Sequence, residues 1–299
     1  QYQYSYSDGD QWFEWSPDSK WILSEFIGIG GWNNKDIVLL NADGKGEMHN
    51  LTESGYSDGN AKWVLGGKAM VWFSDRAGYR SHGSWGAQYD AYIMFFDVDA
   101  YDRFRMNKED LALLEEAEKA EKAEKEKAEK KKKEDKKGDK KKDAKGKKDG
   151  EAEKKEEVKP LKFDLDNRFD RIVRLTVNSS FMGDAVLTPK GDKLYYLAAF
   201  ESGYDLWEHD LKENSTKILL KGVGGGSLLP DKKGENIFMC TGGGMKKIEI
   251  AGSKTTPIAF ESFFDYQPGG ERAYIFDHVW QQVDDKFYVK DLQGVDWPL

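Results

Sequence analysis

A turn of one kind returns along this chain at nearly regular intervals, and the interval restricts the fold more than any other feature does. Its clearest copy is Trp15-Ser16-Pro17-Asp18-Ser19-Lys20, where proline presets φ for a turn and the serine and aspartate beside it can bond back to their own backbone. Trp63-Val64-Leu65-Gly66-Gly67-Lys68, Leu187-Thr188-Pro189-Lys190-Gly191-Asp192, Leu228-Leu229-Pro230-Asp231-Lys232-Lys233 and Tyr266-Gln267-Pro268-Gly269-Gly270-Glu271 align with it. The aligned positions Pro17, Leu65, Pro189, Pro230 and Pro268 are 48, 124, 41 and 38 residues apart. Three of these intervals fit a four-stranded propeller blade, which spans about 40–45 residues in familiar repeats.

Alternating aromatic and β-branched residues around each turn read as strands. The first blade is expected over Gln11–Pro17, Lys20–Phe26, Asp36–Asn41 and a fourth strand ending in His49-Asn50-Leu51-Thr52, with Gly28, Gly30 and Gly31 serving the hairpin between its second and third strands. The second uses Asn60–Leu65, Met70–Asp75 and Ala91–Val98, and its fourth strand arrives late, at Arg171–Thr176. Leu175-Thr176 echoes Leu51-Thr52, so the extra length is an insertion, and it accounts for the 124-residue interval. The third blade follows with Asp184–Thr188, Lys193–Phe200, Asp205–Asp210 and Thr216–Leu220, and the fourth with Ser227–Leu229, Asn236–Thr241, Met245–Ile250 and Thr256–Phe260. A fifth blade is expected to begin at Phe264 and Arg272–Phe276, after which Trp280, Val283 and Phe287 adopt helical spacing.

The fold class expected is therefore all-β: a propeller fragment of four full blades plus part of a fifth, interrupted by a charged insertion and closed by an exit helix. By residues, blade 1 and the first part of blade 2 occupy 1–107, the insertion 108–160, the rest of the blades 161–277 and the linker helix 278–299. Within the insertion, Glu118–Lys122, Glu121–Lys125, Glu126–Lys130 and Glu129–Lys133 are i,i+4 pairs, each worth roughly 0.2–0.5 kcal/mol to a helix. The reading is a helix supported by its own surface up to about residue 137, followed by a Lys/Asp/Gly-rich tract without enough apolar surface to order itself.

Charge narrows the partners. The chain carries a net −8, and residues 115–159 hold 19 lysines against 16 carboxylates, a net of +3, which leaves −11 on the remainder. An acidic folded part argues against nucleic acid, whose phosphates need a basic face. No stretch of about 18 apolar residues is present, so no membrane-spanning helix is expected. A single cysteine, Cys240, excludes an internal disulfide and reads as a small core residue. The chain opens on Gln1 without an initiator methionine, which reads as a piece of a longer polypeptide.

Candidate chemistry is sparse. Ser81, His82, Ser84 and Asp90 lie close in sequence, but on an extended segment Ser81 and His82 point to opposite sides, and His82 and Ser84 lie about 6.5 Å apart. Gly222-Val-Gly-Gly-Gly226 and Gly242-Gly-Gly244 lack the Gly-Lys-Ser/Thr ending of a phosphate loop and read as turns where backbones approach closely. His49, His82, His209 and His278 have no zinc-ligand spacing. No catalytic, cofactor-binding or metal-binding residue is expected within this chain. The long loop Gly78–Gln88 is the candidate contact region, with Tyr79, Arg80, His82 and Trp85 as peptide or interface contacts.

The Ser16–Lys20 turn, the loop Ser74-Asp75-Arg76 with Gly78, the segment His82–Asp90, the Lys/Glu-rich insertion and the exit Phe287–Trp297 ending in Gly294-Val-Asp-Trp297 together resemble the tricorn protease family, large serine peptidases. The likeness is to their second propeller, up to its junction with the following domain. It implies a seven-bladed ring, peptide substrates passed to a catalytic domain downstream of this chain, a homo-oligomeric parent and a cytoplasmic location, with the periplasm as the alternative. A stand-alone propeller of the TolB type mediating protein–protein interaction is the alternative function. A prolyl oligopeptidase type of peptidase is a third reading, which a downstream Gly-x-Ser-x-Gly elbow would favour.

Overall fold

The structure is a computed structural model that describes residues 12–28, 34–80, 86–137, 160–231, 233–242 and 244–297. The first sheet comprises β1 (Phe13–Trp15), β2 (Trp21–Ile27), β3 (Lys35–Asn41) and β4 (His49–Asn50). The second comprises β5 (Asp58–Val64), β6 (Ala69–Ser74), β7 (Asp90–Phe95) and β8 (Ile172–Arg174). The third holds β9 (Phe181–Leu187), β10 (Lys193–Ala199), β11 (Asp205–Asp210) and β12 (Ser215–Leu220). The fourth holds β13 (Gly226–Pro230), β14 (Asn236–Thr241), β15 (Gly244–Glu249) and β16 (Lys254–Ile258). Each sheet is antiparallel, with its strands in chain order.

Two copies of the recurring turn share one physical basis. Ser16 Oγ accepts the Lys20 and Trp21 N–H groups (3.3 and 2.9 Å) and donates to Asp18 Oδ1 (2.6 Å). Thr188 does the same in blade 3, accepting from Asp192 N (3.3 Å) and Lys193 N (3.1 Å) and donating to Asp192 Oδ1 (2.5 Å). The hydroxyl thus gathers the backbone donors that the tight turn leaves unpaired.

The Leu-Thr echo also has a cause. Thr52 Oγ1 accepts the Ile37 N–H (3.0 Å) and donates to fully buried Asp36 (3.2 Å), which also accepts from Asn50 Nδ2 (2.9 Å) and Ser54 N (2.8 Å). Thr176 repeats this against Ala91 N (3.2 Å) and fully buried Asp90 (2.7 Å), joined by Arg174 and Ser179 at 2.7 Å each. Each latch ties the start of a third strand to the end of a fourth, and satisfies a carboxylate that burial alone would penalise heavily.

Three apolar clusters form the seams between consecutive blades. Leu23, Leu39, Met70, Trp72 and Met94 fill the first seam, Phe73, Ile93, Phe95, Leu187 and Tyr196 the second, and Tyr195, Leu197, Leu228, Met239 and Ile248 the third. Period-two alternation sends one face of a sheet into each seam, so adjacent residues such as Tyr195 and Tyr196 serve opposite neighbours.

Two strand expectations are corrected. Arg272–Phe276 is not a strand of a fifth blade; it lies within α3 (Pro268–Lys286), which begins ten residues before the expected 278. Pro-Gly-Gly-Glu reads equally well as a β-turn or a helix start, because proline's fixed φ suits both, and Glu271 in the first turn with Lys286 in the last favours the helix. The third strand of blade 2 stops at Phe95 rather than Val98, since Asp97 accepts the Ala100 N–H (2.7 Å) and caps α1 (Val98–Arg105).

The insertion helix α2 spans Lys108–Lys137. Its first turns pack on the blades, contrary to a helix held up only by its own surface: Leu111 and Leu114 are half-buried at a cavity of about 720 Å³ shared with Leu65, Phe104 and Pro189. Arg103 pairs with Glu118 at 2.6 Å, Lys108 pairs with Glu213, and Lys212 Nζ donates to the Phe104 and Met106 carbonyls (2.6 and 2.9 Å) at the end of α1. The tract expected to be disordered after Gly138 lies outside the described residues, as do Gly30 and Gly31. The chain returns over the first seam, where Phe163 lies 5.1 Å from Trp21, 5.8 Å from Trp63 and 5.4 Å from Phe96 by ring centroid, and the Leu161 N–H donates to Asp18 (2.8 Å).

Candidate functional site

In each blade, the connections from second to third strand and from blade to blade emerge at one end of the sheets, while the Ser16 and Thr188 turns and the insertion occupy the other. On the first of these ends, Arg76 reaches Asp58 (3.3 Å), which is buried and also accepts from Trp72 Nε1 (3.1 Å). Its guanidinium lies 5.0 Å from the Tyr92 ring centroid, 5.5 Å from Trp72 and 6.0 Å from Tyr56. Arg80 reaches fully buried Asp75 (3.0 Å) and Asn34 Oδ1 (3.3 Å), and lies 5.0 Å over Tyr56. Asp75 in turn accepts the Ser57 N–H (2.9 Å). Two arginines therefore sit on a platform of rings and buried carboxylates, partly exposed at 22% and 31% of their side chains, a rigid surface for planar or carboxylate groups.

Tyr79 and Arg80 fall on this surface, and Tyr79 is 70% exposed. A Cβ at Gly78 would overlap the Gln88 carbonyl oxygen, and the Gln88 N–H donates to the Tyr79 carbonyl (2.8 Å), so the loop base closes only around glycine. His82 and Trp85 lie outside the described residues, as do Ser81 and Ser84. Asp90 uses both carboxylate oxygens in its latch. Of the glycine runs, Gly226 has the expected close approach, since a Cβ there would overlap the Cys240 carbonyl; Gly242 and Gly244 have open space.

Sequence reasoning missed the partners Tyr56, Asp58, Trp72 and Tyr92, which come from three strands and an inter-blade loop, and only Ser74-Asp75-Arg76 carried a signal. It also missed the wall formed by the inner strands β1, β5, β9 and β13. There Lys62 pairs with Asp184 (2.5 Å), whose other oxygen accepts the Leu228 N–H (2.7 Å), and Glu14 Oε2 accepts the Trp63 N–H (3.2 Å). Inner strands of neighbouring blades do not pair with one another, so side chains supply acceptors for their edges. Burial raises Glu14 to about 7, opposed by the Trp63 N–H and by Lys62, with Asp184 adding to the rise.

Four-stranded antiparallel sheets in sequential order, packed through three successive seams, define a β-propeller segment. Residues 268–298 match the family model of the tricorn protease C1 domain. The fold of the chain is similar to the crystal structure of the tricorn protease, with a TM-score of 0.55 at 9% identity over 94% of this chain and 25% of that one. The chain thus spans a quarter of the length of that relative. Putative TolB from Agrobacterium tumefaciens has a TM-score of 0.46 at 11% identity over 86% of this chain and 64% of its own. TolB from Acinetobacter baumannii has 0.42 at 8% over 85% and 42%. No curated protein matches the chain. Among the described residues no helix is long and apolar enough to cross a membrane.

Proposed function

We propose that this chain is the propeller scaffold and peptide gate of a tricorn-like serine peptidase, acting in the cytoplasm within a homo-oligomeric parent. The observation that carries the reading is the C1 match over 268–298, which coincides with the helix that leaves the fourth blade at Pro268. The blades supply a rigid frame, peptides pass along the inner strands, and hydrolysis takes place in a catalytic domain elsewhere in the parent. In this organisation 1–107 and 161–267 form the blades, 108–160 is an insertion that clamps their seams, and the linker to the next domain starts at 268 rather than 278. Tyr79, Arg80, His82 and Trp85 are the proposed peptide or interface contacts at the loop end.

Fluorogenic peptides and a serine-reactive probe applied to this chain and to its parent test the reading. Turnover and labelling confined to the parent are the expected result. Labelling and turnover by the 299-residue chain itself would place the chemistry within the blades and remove the gate reading.

A further inference from the structure

Glu14 of β1 lines a cavity of about 290 Å³ to which all four inner strands contribute, with Lys62, Leu65, Leu187, Leu228 and Leu229 among its walls. The carboxyl is half-buried, and its single hydrogen bond among the described residues is the one Oε2 accepts from Trp63 N (3.2 Å). Oε1 has no partner among them. Lys62 is held by Asp184 (2.5 Å) and the Ala185 carbonyl (3.4 Å) and forms no ion pair with Glu14, whose charge it favours only through space. The charged groups facing Glu14 are Lys62 and Asp184, and Asp231 lines the same cavity.

A half-buried acidic group beside leucine side chains is matched by a cation that brings its own apolar stem. We infer that the cavity is a subsite for the guanidinium or ammonium group of a cationic peptide side chain, with Glu14 as the counter-charge and the leucines packing its methylenes. An anionic group would face an uncompensated carboxylate, and a neutral apolar group would desolvate Glu14 further without pairing it. Burial is the chief cause of the rise of Glu14 to about 7, and a bound cation would oppose it and favour the ionised form. This subsite rests on the reading of the inner strands as a peptide path.

The test is calorimetric titration of the 299-residue chain with Ac-Leu-Arg-Leu-amide and its citrulline counterpart, which has nearly the same shape and no charge. At pH 8 the arginine peptide is expected to bind at least tenfold more tightly, the ratio falling toward one at pH 5.5 as Glu14 takes up a proton. Glu14→Gln is expected to bind both peptides alike at either pH, with thermal melting checking its fold. Leu229→Lys, at a position that is 54% exposed and tolerant of charge, places a competing cation in the cavity and should abolish the preference as well. Equal binding of the two peptides by the wild type, or a preference that survives in Glu14→Gln, overturns the subsite and leaves the peptide path standing. Binding of neither peptide overturns both.

Discussion

Thr52 and Thr176 show how one hydroxyl holds two strands together. Each accepts a strand N–H and donates to a fully buried aspartate, so replacing it by valine keeps the volume and leaves that N–H and carboxylate short of a partner. Thr176→Val should destabilise the fold by about 1–3 kcal/mol, read as a lowered urea midpoint with an unchanged slope. Glu14 acts in the opposite sense. Its folded value, raised to about 7 from 4.5, means the folded chain holds a proton that the unfolded chain releases. Its stabilising contribution is complete below pH 4.5 and is lost as pH rises through about 7. Glu14→Gln should flatten that stretch of the stability–pH curve, and an unchanged curve would show that Glu14 is ordinarily hydrated.

The insertion behaves as two parts. Its described contacts come from Lys108, which pairs with Glu213, from Leu111 and Leu114 at the cavity shared with Leu65 and Pro189, and from Glu115 and Glu118, which pair with Arg103 of α1, before the chain returns through Leu161 and Phe163. Removing residues 122–157 should leave the melting temperature within a few degrees of wild type. Phe163→Ala, which opens an aromatic cluster over the first seam, should cost about 3 kcal/mol. Helix α3 is exposed along its length, with Tyr274 at 69% and Phe276 at 70%, and Phe263 before it at 93%. Few contacts mean local opening at little cost, so limited chymotrypsin digestion should cut first within 260–288 while the blades up to Ile258 survive. The strands were legible in the sequence because a turn and a period of two are local signals. The start of α3 was not, because Pro268-Gly-Gly-Glu271 is locally degenerate and no neighbouring strand was present to decide it.

At the scale of the molecule, stability resides in the seams. Trp72 is fully buried between blades 1 and 2 and donates to Asp58, so Trp72→Ala should cost about 3–5 kcal/mol and loosen Arg76 from its platform in the same step. Blade 4 buries Ile237, Met239 and Ile248 against blade 3, while Leu229 of the same sheet is more than half exposed.

By itself the sequence determined the strands of four blades, their grouping in fours and the place of the insertion, because each is written within a dozen or so neighbouring residues. Only the tertiary structure decided which side chains meet. Glu14, Lys62 and Asp184 are far apart along the chain and converge because inner strands of successive blades lie side by side. Arg76 and Arg80 gain their platform from Asn34, Tyr56, Asp58 and Tyr92 for the same reason. Backbone signals are local and survive in one dimension, whereas burial and charge pairing depend on the packing of sheets and become definite only once the seams close.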